Sequence, residues 1–350
     1  MRLTAIAYLV PLTLSCGLTL ASCGGAPAGS GSVASAGSDN VEAARSDIVA
    51  YVAHSQNASL SVINTATNAV GATVPIGSSS GTAASYPSSV AITPDGTRAY
   101  IADANESVWV MDTASNNIIA KIVVGPVGTA PYQLAITPNG KTAYVTTYDS
   151  VVAIDIATNS ITSTISVGKY PYGIAVTPDG TRAYVTNTDY QYMWVIDTQS
   201  NQVVATIPTP NLSYGVAIAP DGSRAYVTDG NNSVLVVDTK TNNVLTAVST
   251  PGEDLGRLAI TPDGSRAYVA AFDGVLVMDT STNQPLTEIP VDNDGLSLNG
   301  VAITPDGAHA YVTSGNTNTV SLIETATNSI VASLNSPVTP TGVTISSRPQ

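Results

Sequence analysis

The 350-residue chain holds 25 acidic and 12 basic residues, a formal net charge of −13, which argues against attraction to nucleic acid or anionic lipid through its overall field. Imidazole and thiol are confined to His54, His309, Cys16 and Cys23, so His-rich copper, haem and zinc sites have no material. At 43% hydrophobic and 11% charged, with 28 Gly and 21 Pro, the composition suits an ordered, turn-rich β domain.

The chain opens on an export signal over residues 1–22. Arg2 supplies the charge, an apolar stretch follows, and Leu20-Ala-Ser-Cys23 resembles a bacterial lipobox, with Cys23 as the lipidated residue. Cys16 lacks a leucine at the matching position and reads as part of the apolar stretch. Cleavage before Cys23 would leave no disulfide in the mature domain, so stability must come from core size. Residues 23–46, rich in Gly, Ala and Ser, read as a flexible tether.

From residue 47 to 347 three words recur. Pro-Asp-Gly has its proline at 94, 138, 178, 220, 262 and 305, with Asn139 replacing Asp once, at gaps of 40 to 44 residues. A tyrosine followed by Val or Ile stands at Tyr51, Tyr100, Tyr144, Tyr184, Tyr226, Tyr268 and Tyr311. An asparagine closes the third word at Asn68, Asn116, Asn159, Asn201, Asn242, Asn283 and Asn328. The first and third words are turn chemistry, and alternating runs such as Val234-Leu-Val-Val-Val-Asp238 between them read as strands. Each repeat is then four strands, A to D, and a ~40-residue period of this kind marks a β-propeller.

The ends complete one another. The first copy, from Ile48, has strands B, C and D, and the last, Gly342-Val-Thr-Ile-Ser346, is a strand A alone. The expected fold is all-β: a seven-bladed β-propeller of four antiparallel strands per blade, closed by the C-terminal strand joining the N-terminal three. Closure removes exposed edges.

Tyr184-Val-Thr-Asn187, with its flanking Thr-Pro-Asp-Gly and Asp-Thr-x-x-Asn words, resembles the YVTN-type repeat of surface-layer proteins and exported YncE-like propellers. The resemblance covers residues 47 to 347 and implies the fold. It also raises single-stranded nucleic-acid binding as in YncE-like relatives, which the acidic charge disfavours.

Strand alternation puts the A–B and C–D turns on one face and the B–C and D–A loops on the other. The turn face repeats with little change and reads as structural, with Arg98, Arg182, Arg224 and Arg266 expected to pair with turn carboxylates. The loop face varies, which is where function sits on a rigid frame. Its acidic rim comprises Asp103, Glu106, Asp149, Asp189, Asp229 and Asp273, with Glu253, Asp254, Asp292 and Asp294, against Lys169 and Arg257 alone. The residue two before each strand A should ring the channel mouth: Ser88, Tyr132, Tyr172, Tyr214, Gly256, Asn299 and Thr341. Three consecutive tyrosines make an aromatic arc, flanked by Gln133 and Arg257, suited to peptides, glycans or small rings. His54 reads as an exposed loop residue and His309 as a turn residue in the slot of the arginines.

No nucleophile elbow, phosphate loop or dinucleotide fingerprint is present. The expectation is a non-enzymatic binding module, a lipid-anchored monomer on the cell envelope, taking an envelope protein, peptide or glycan. A metal-dependent, lactonase-like hydrolase in the same channel is the alternative. No cofactor is expected; Ca²⁺ stays open because rim carboxylates suit it, although no segment matches an EF-hand loop.

Overall fold

The computed structural model describes residues 48–77, 85–126, 128–250, 254–272, 274–291, 298–336 and 339–347. The export signal, Cys23 and the tether lie outside the described residues.

The described chain forms 28 strands in seven sheets of four. Blade 4 is representative: inner strand Pro171–Val176, then Arg182–Asn187, Tyr192–Asp197 and outer strand Gln202–Pro208, each antiparallel to the last. Blade 1 is assembled from both ends, with Pro340–Ser347 paired to Ile48–His54 from Ile48↔Ser347 onward. The inner strands touch in sequence around a closed ring, Pro340–Ser347 lying between Leu298–Ile303 of blade 7 and Pro87–Ile92 of blade 2. This is a seven-bladed β-propeller closed by its C-terminal strand, as the repeat predicts.

Burial grades outward because each blade is packed on both faces by its neighbours. The third strand Ser233–Asp238, almost continuously apolar, is buried on both sides, whereas the outer strand Gln202–Pro208 exposes most of its residues. In every blade the outer pair shifts register once, as between Val195 and Ile196, and such bulges increase twist. The core is divided into seven apolar clusters, one at each junction between adjacent blades.

The repeated words have structural meanings that their spacing alone does not reveal. Glycines of the Pro-Asp-Gly turns sit at φ near +70°, while the Asp side chain accepts from the amide two residues on, as Asp179 does from Thr181 at 2.9 Å. The asparagines of the third word all adopt φ between 53° and 57°. Asparagine serves there better than glycine because its oxygen is used. Tyr100 donates to Asn159, Tyr144 to Asn201, Tyr184 to Asn242, Tyr226 to Asn283, Tyr268 to Asn328 and Tyr311 to Asn68, at 2.6 to 3.3 Å. At six of the seven junctions the two anchors are thus the ends of one bond from a blade to the next; at the junction of blades 1 and 2 the Asn116 Oδ1 is buried with no hydrogen-bond partner among the described residues.

The turn-face arginines depart from expectation. Arg182 pairs with Asp197, but Arg98, Arg224 and Arg266 donate to the carbonyls of Ile156, Thr280 and Thr325 in the following blade. They reach past their own carboxylates because each carbonyl is exposed by a neighbouring turn at guanidinium distance. His54 also departs: it is 1% exposed, ends the strand Ile48–His54, and bonds Ser61 at 2.8 Å and Ser336 at 3.1 Å. It ties blade 1 to the end of blade 7 rather than facing solvent.

Candidate binding site at the channel mouth

Inner-strand segments begin on the loop face, so their first three residues build the channel mouth. At the second position a chain of side-chain bonds runs around the ring. Ser88 donates to the Tyr132 carbonyl at 3.0 Å, Thr146 to that of Tyr172 at 2.8 Å, Thr186 to that of Tyr214, and Thr228 to that of Gly256 at 2.8 Å. Asn299 donates to Pro340 at 2.8 Å and Thr341 to Pro87 at 2.8 Å, closing the circuit through blades 7, 1 and 2. Between blades 6 and 7 the described residues show no bond of this kind, because blade 6 fills neither donor slot: Ala270 stands where blades 3, 4 and 5 have Thr146, Thr186 and Thr228, and Gly256 where blades 7, 1 and 2 have Asn299, Thr341 and Ser88.

The three tyrosines meet as the sequence suggests they could. The Tyr132 and Tyr172 rings lie 6.1 Å apart and tilted, and Tyr172 and Tyr214 lie 6.2 Å apart edge to face. All three are half-buried. Desolvation, with Tyr170 and Tyr172 nearby, pushes the Tyr132 hydroxyl above its ordinary pKa, so it stays a hydrogen-bond donor at neutral pH.

Sequence reasoning missed how far this aromatic surface extends. Tyr148 and Tyr170, in loops of blades 3 and 4, pack edge to face at 4.8 Å with their hydroxyls joined at 3.3 Å. Tyr170 is exposed and held at φ 56°, a left-handed conformation rare for an aromatic residue. Tyr190 stacks on Tyr192 at 5.3 Å, and Tyr192 meets Trp194 edge to face. The signal available in the sequence was the count: 16 Tyr against one Phe, with only seven tyrosines absorbed by the interblade bonds or their repeat position.

The remaining residues divide by what they already hold. Gln133 Oε1 accepts from the Ile174 amide at 3.1 Å and Asn299 donates to Pro340, so both tie blades together. Arg257 differs. Its Nη2 donates to the Ser88 carbonyl at 3.2 Å, three blades away on the far side of the channel, and its Nε is buried without a hydrogen-bond partner.

Two members of the predicted acidic rim are withdrawn from solvent. Asp103 is 2% exposed and accepts from the Tyr86 amide at 2.7 Å and Trp109 Nε1 at 3.0 Å. Asp229 is 1% exposed and accepts from the amides of Asn231 and Ser233 and from Asn211. Both organise loops rather than face solvent. Glu106 is half-buried at φ 110°, Asp149 and Asp189 are exposed, and Asp273 lies outside the described residues, as do Glu253, Asp292 and Asp294. Among the described residues no three His, Cys, Asp or Glu side chains are grouped as metal ligands.

A cavity of about 270 Å³ opens at the mouth, lined by Tyr172, Tyr214, Asp229, Asp254, Arg257 and Asn299 among others. Larger hollows, up to about 610 Å³, lie on the turn face. Those recur between neighbouring blades from the same turn words, as at Pro220/Asp263 and Pro262/Asp306, and so follow from the repeat. The mouth cavity is assembled from the residues that break the repeat.

No protein-family model matches the chain, and no curated protein matches it. Among solved structures it is similar to hydrazine synthase of Kuenenia stuttgartiensis, at 22% identity and TM-score 0.67, over 74% of this chain and 89% of that one. It is also similar to a functionally unknown protein from Desulfotomaculum acetoxidans, at 15% identity and TM-score 0.72, over 86% of this chain and 98% of that one. These likenesses are of fold, and fold does not carry function. The class is a seven-bladed β-propeller.

Proposed function

We propose that this propeller is a non-catalytic binding module of the YVTN type, related to YncE-like propellers, exported and lipid-anchored through Cys23, and that its loop face takes a protein, peptide or glycan of the cell envelope. One observation carries the reading: Tyr132, Tyr172 and Tyr214, extended by Tyr148 and Tyr170, form a half-exposed aromatic surface beside a cavity that the repeat does not explain. Tyrosine presents a flat apolar face and a polar tip, the pairing used to bind sugar rings and peptide side chains.

The test compares residues 24–350 with a Tyr132, Tyr172, Tyr214 triple alanine variant, both shown to be folded, against arrayed glycans and envelope extract. Ligands retained by the native protein and lost with the variant support the reading. Equal retention by both places binding elsewhere and overturns it.

A further inference from the structure

We propose that the channel mouth is a carboxylate receptor, with Arg257 as its anchoring cation and Tyr172 and Tyr214 as the walls against which the rest of the ligand lies. This deepens the loop-face reading above and rests on it.

The argument begins with position. At the third residue of the inner-strand segment the blades carry Ser89, Gln133, Gly173, Gly215, Arg257, Gly300 and Gly342. Arg257 is the one charged member of this ring, and the glycine opposite makes room for it. A Cβ on Gly342 would lie 3.0 Å from Arg257 Nη1 and 2.9 Å from the Ser88 carbonyl, so any other residue there would crowd the guanidinium. The side chain is therefore held across the channel, with its head at a defined place.

The guanidinium is under-used by the protein. It offers five N–H donors and cannot shed its charge, yet among the described residues it makes one hydrogen bond, to Ser88, and no ion pair. Its Nε–H is buried with no acceptor. Holding a partly buried charge with no carboxylate in contact with it is costly, and a site that keeps one gains when an anion arrives. The planar fork of arginine matches the two oxygens of a carboxylate.

The cavity wall narrows the class of anion. Asp229 and Asp254 also line it, although Asp229 has its oxygens engaged by Asn231, Ser233 and Asn211, and Asp254 is exposed. Two nearby negative charges oppose a phosphate dianion and tolerate a single carboxylate on an otherwise neutral ligand. At about 270 Å³ the space admits one ring or one amino-acid residue. A sugar acid and the free carboxyl end of a peptide share this chemistry.

The test titrates the protein with two matched pairs: galacturonate against galactose, and N-acetyltyrosine against N-acetyltyrosinamide. The acid of at least one pair should bind about ten- to a hundredfold more tightly than its neutral partner, the worth of a charge-assisted bond. The responding pair identifies the source of the carboxylate. In Arg257→Gln the preference should vanish, and in Arg257→Lys, which keeps the charge but loses the fork, it should return in part. Acids binding no better than neutral partners, a preference that survives Arg257→Gln, or no binding of either acid each overturns the proposal. The comparison on the unmodified protein stands even if a variant fails to fold. Loss of ligand capture in the triple tyrosine variant, without any acid preference, would leave the loop-face reading intact and remove the carboxylate.

Discussion

The Tyr184 hydroxyl donates to Asn242 at 2.8 Å and to the Thr239 carbonyl at 3.1 Å, both in the following blade, from a fully buried ring. Removing that oxygen leaves two acceptors facing a hydrocarbon edge. Tyr184→Phe should lower stability by about 1–3 kcal/mol, read as a lower urea midpoint with an unchanged slope. An unchanged midpoint would mean that water replaces the hydroxyl. At this scale the sequence was partly legible. Tyr184 and Asn242 stand out because each recurs, yet periodicity gives the positions within a repeat and not which copy meets which. Asp103 shows the converse: it reads as a rim acid beside Asp149 and Asp189, yet it stands three residues after its repeat tyrosine, in the strand-end slot that Asn187, Asp229 and Ser314 also fill and that is buried in each, where the Trp109 indole donates to it. Arg257 was legible as one of two bases among the loop-face acids, beside the tyrosine arc; its span to Ser88, 169 residues away in sequence, was not.

The turns are the element in which sequence and structure agree most fully, because their words encode local geometry that needs no distant partner. They also carry the pH response. Asp95, Asp112, Asp155, Asp179, Asp197, Asp221, Asp238 and Asp263 are held below the ordinary carboxylate range, chiefly by hydrogen bonds from neighbouring hydroxyls and amides, and Asp279 is lowered to about 2. A lowered folded-state pKa gives stability that is complete above the unfolded value of about 4 and is lost as pH falls through the folded one. Burial acts oppositely on Tyr144 and Tyr184, pushed up to about 12, so their contribution is complete below about 10 and is lost as pH rises toward 12. The melting temperature should therefore decline below about pH 4 and above about pH 10. A profile that stays level through either limit would count against these turn and interblade bonds as the titrating contacts.

For the whole molecule the decisive join is blade 1, where Pro340–Ser347 pairs with Ile48–His54 and packs against blades 2 and 7. Deleting residues 341–350 should expose the edge of Ile48–His54, open the cores on both sides and sharply lower the melting temperature. An unaffected melting temperature would contradict closure by this strand. The complementarity of the two chain ends made the ring readable before any coordinates, whereas the asymmetry within it did not follow from the repeat: a sewn circuit of carbonyls interrupted between blades 6 and 7, beside the one channel-mouth guanidinium. That join also sets an order of events. Tyr311 bonds Asn68 across 243 residues, and Ile48 waits for Ser347, so blades 2 to 6 can collapse as they are synthesised while the first three strands remain an unfinished sheet until the final segment appears.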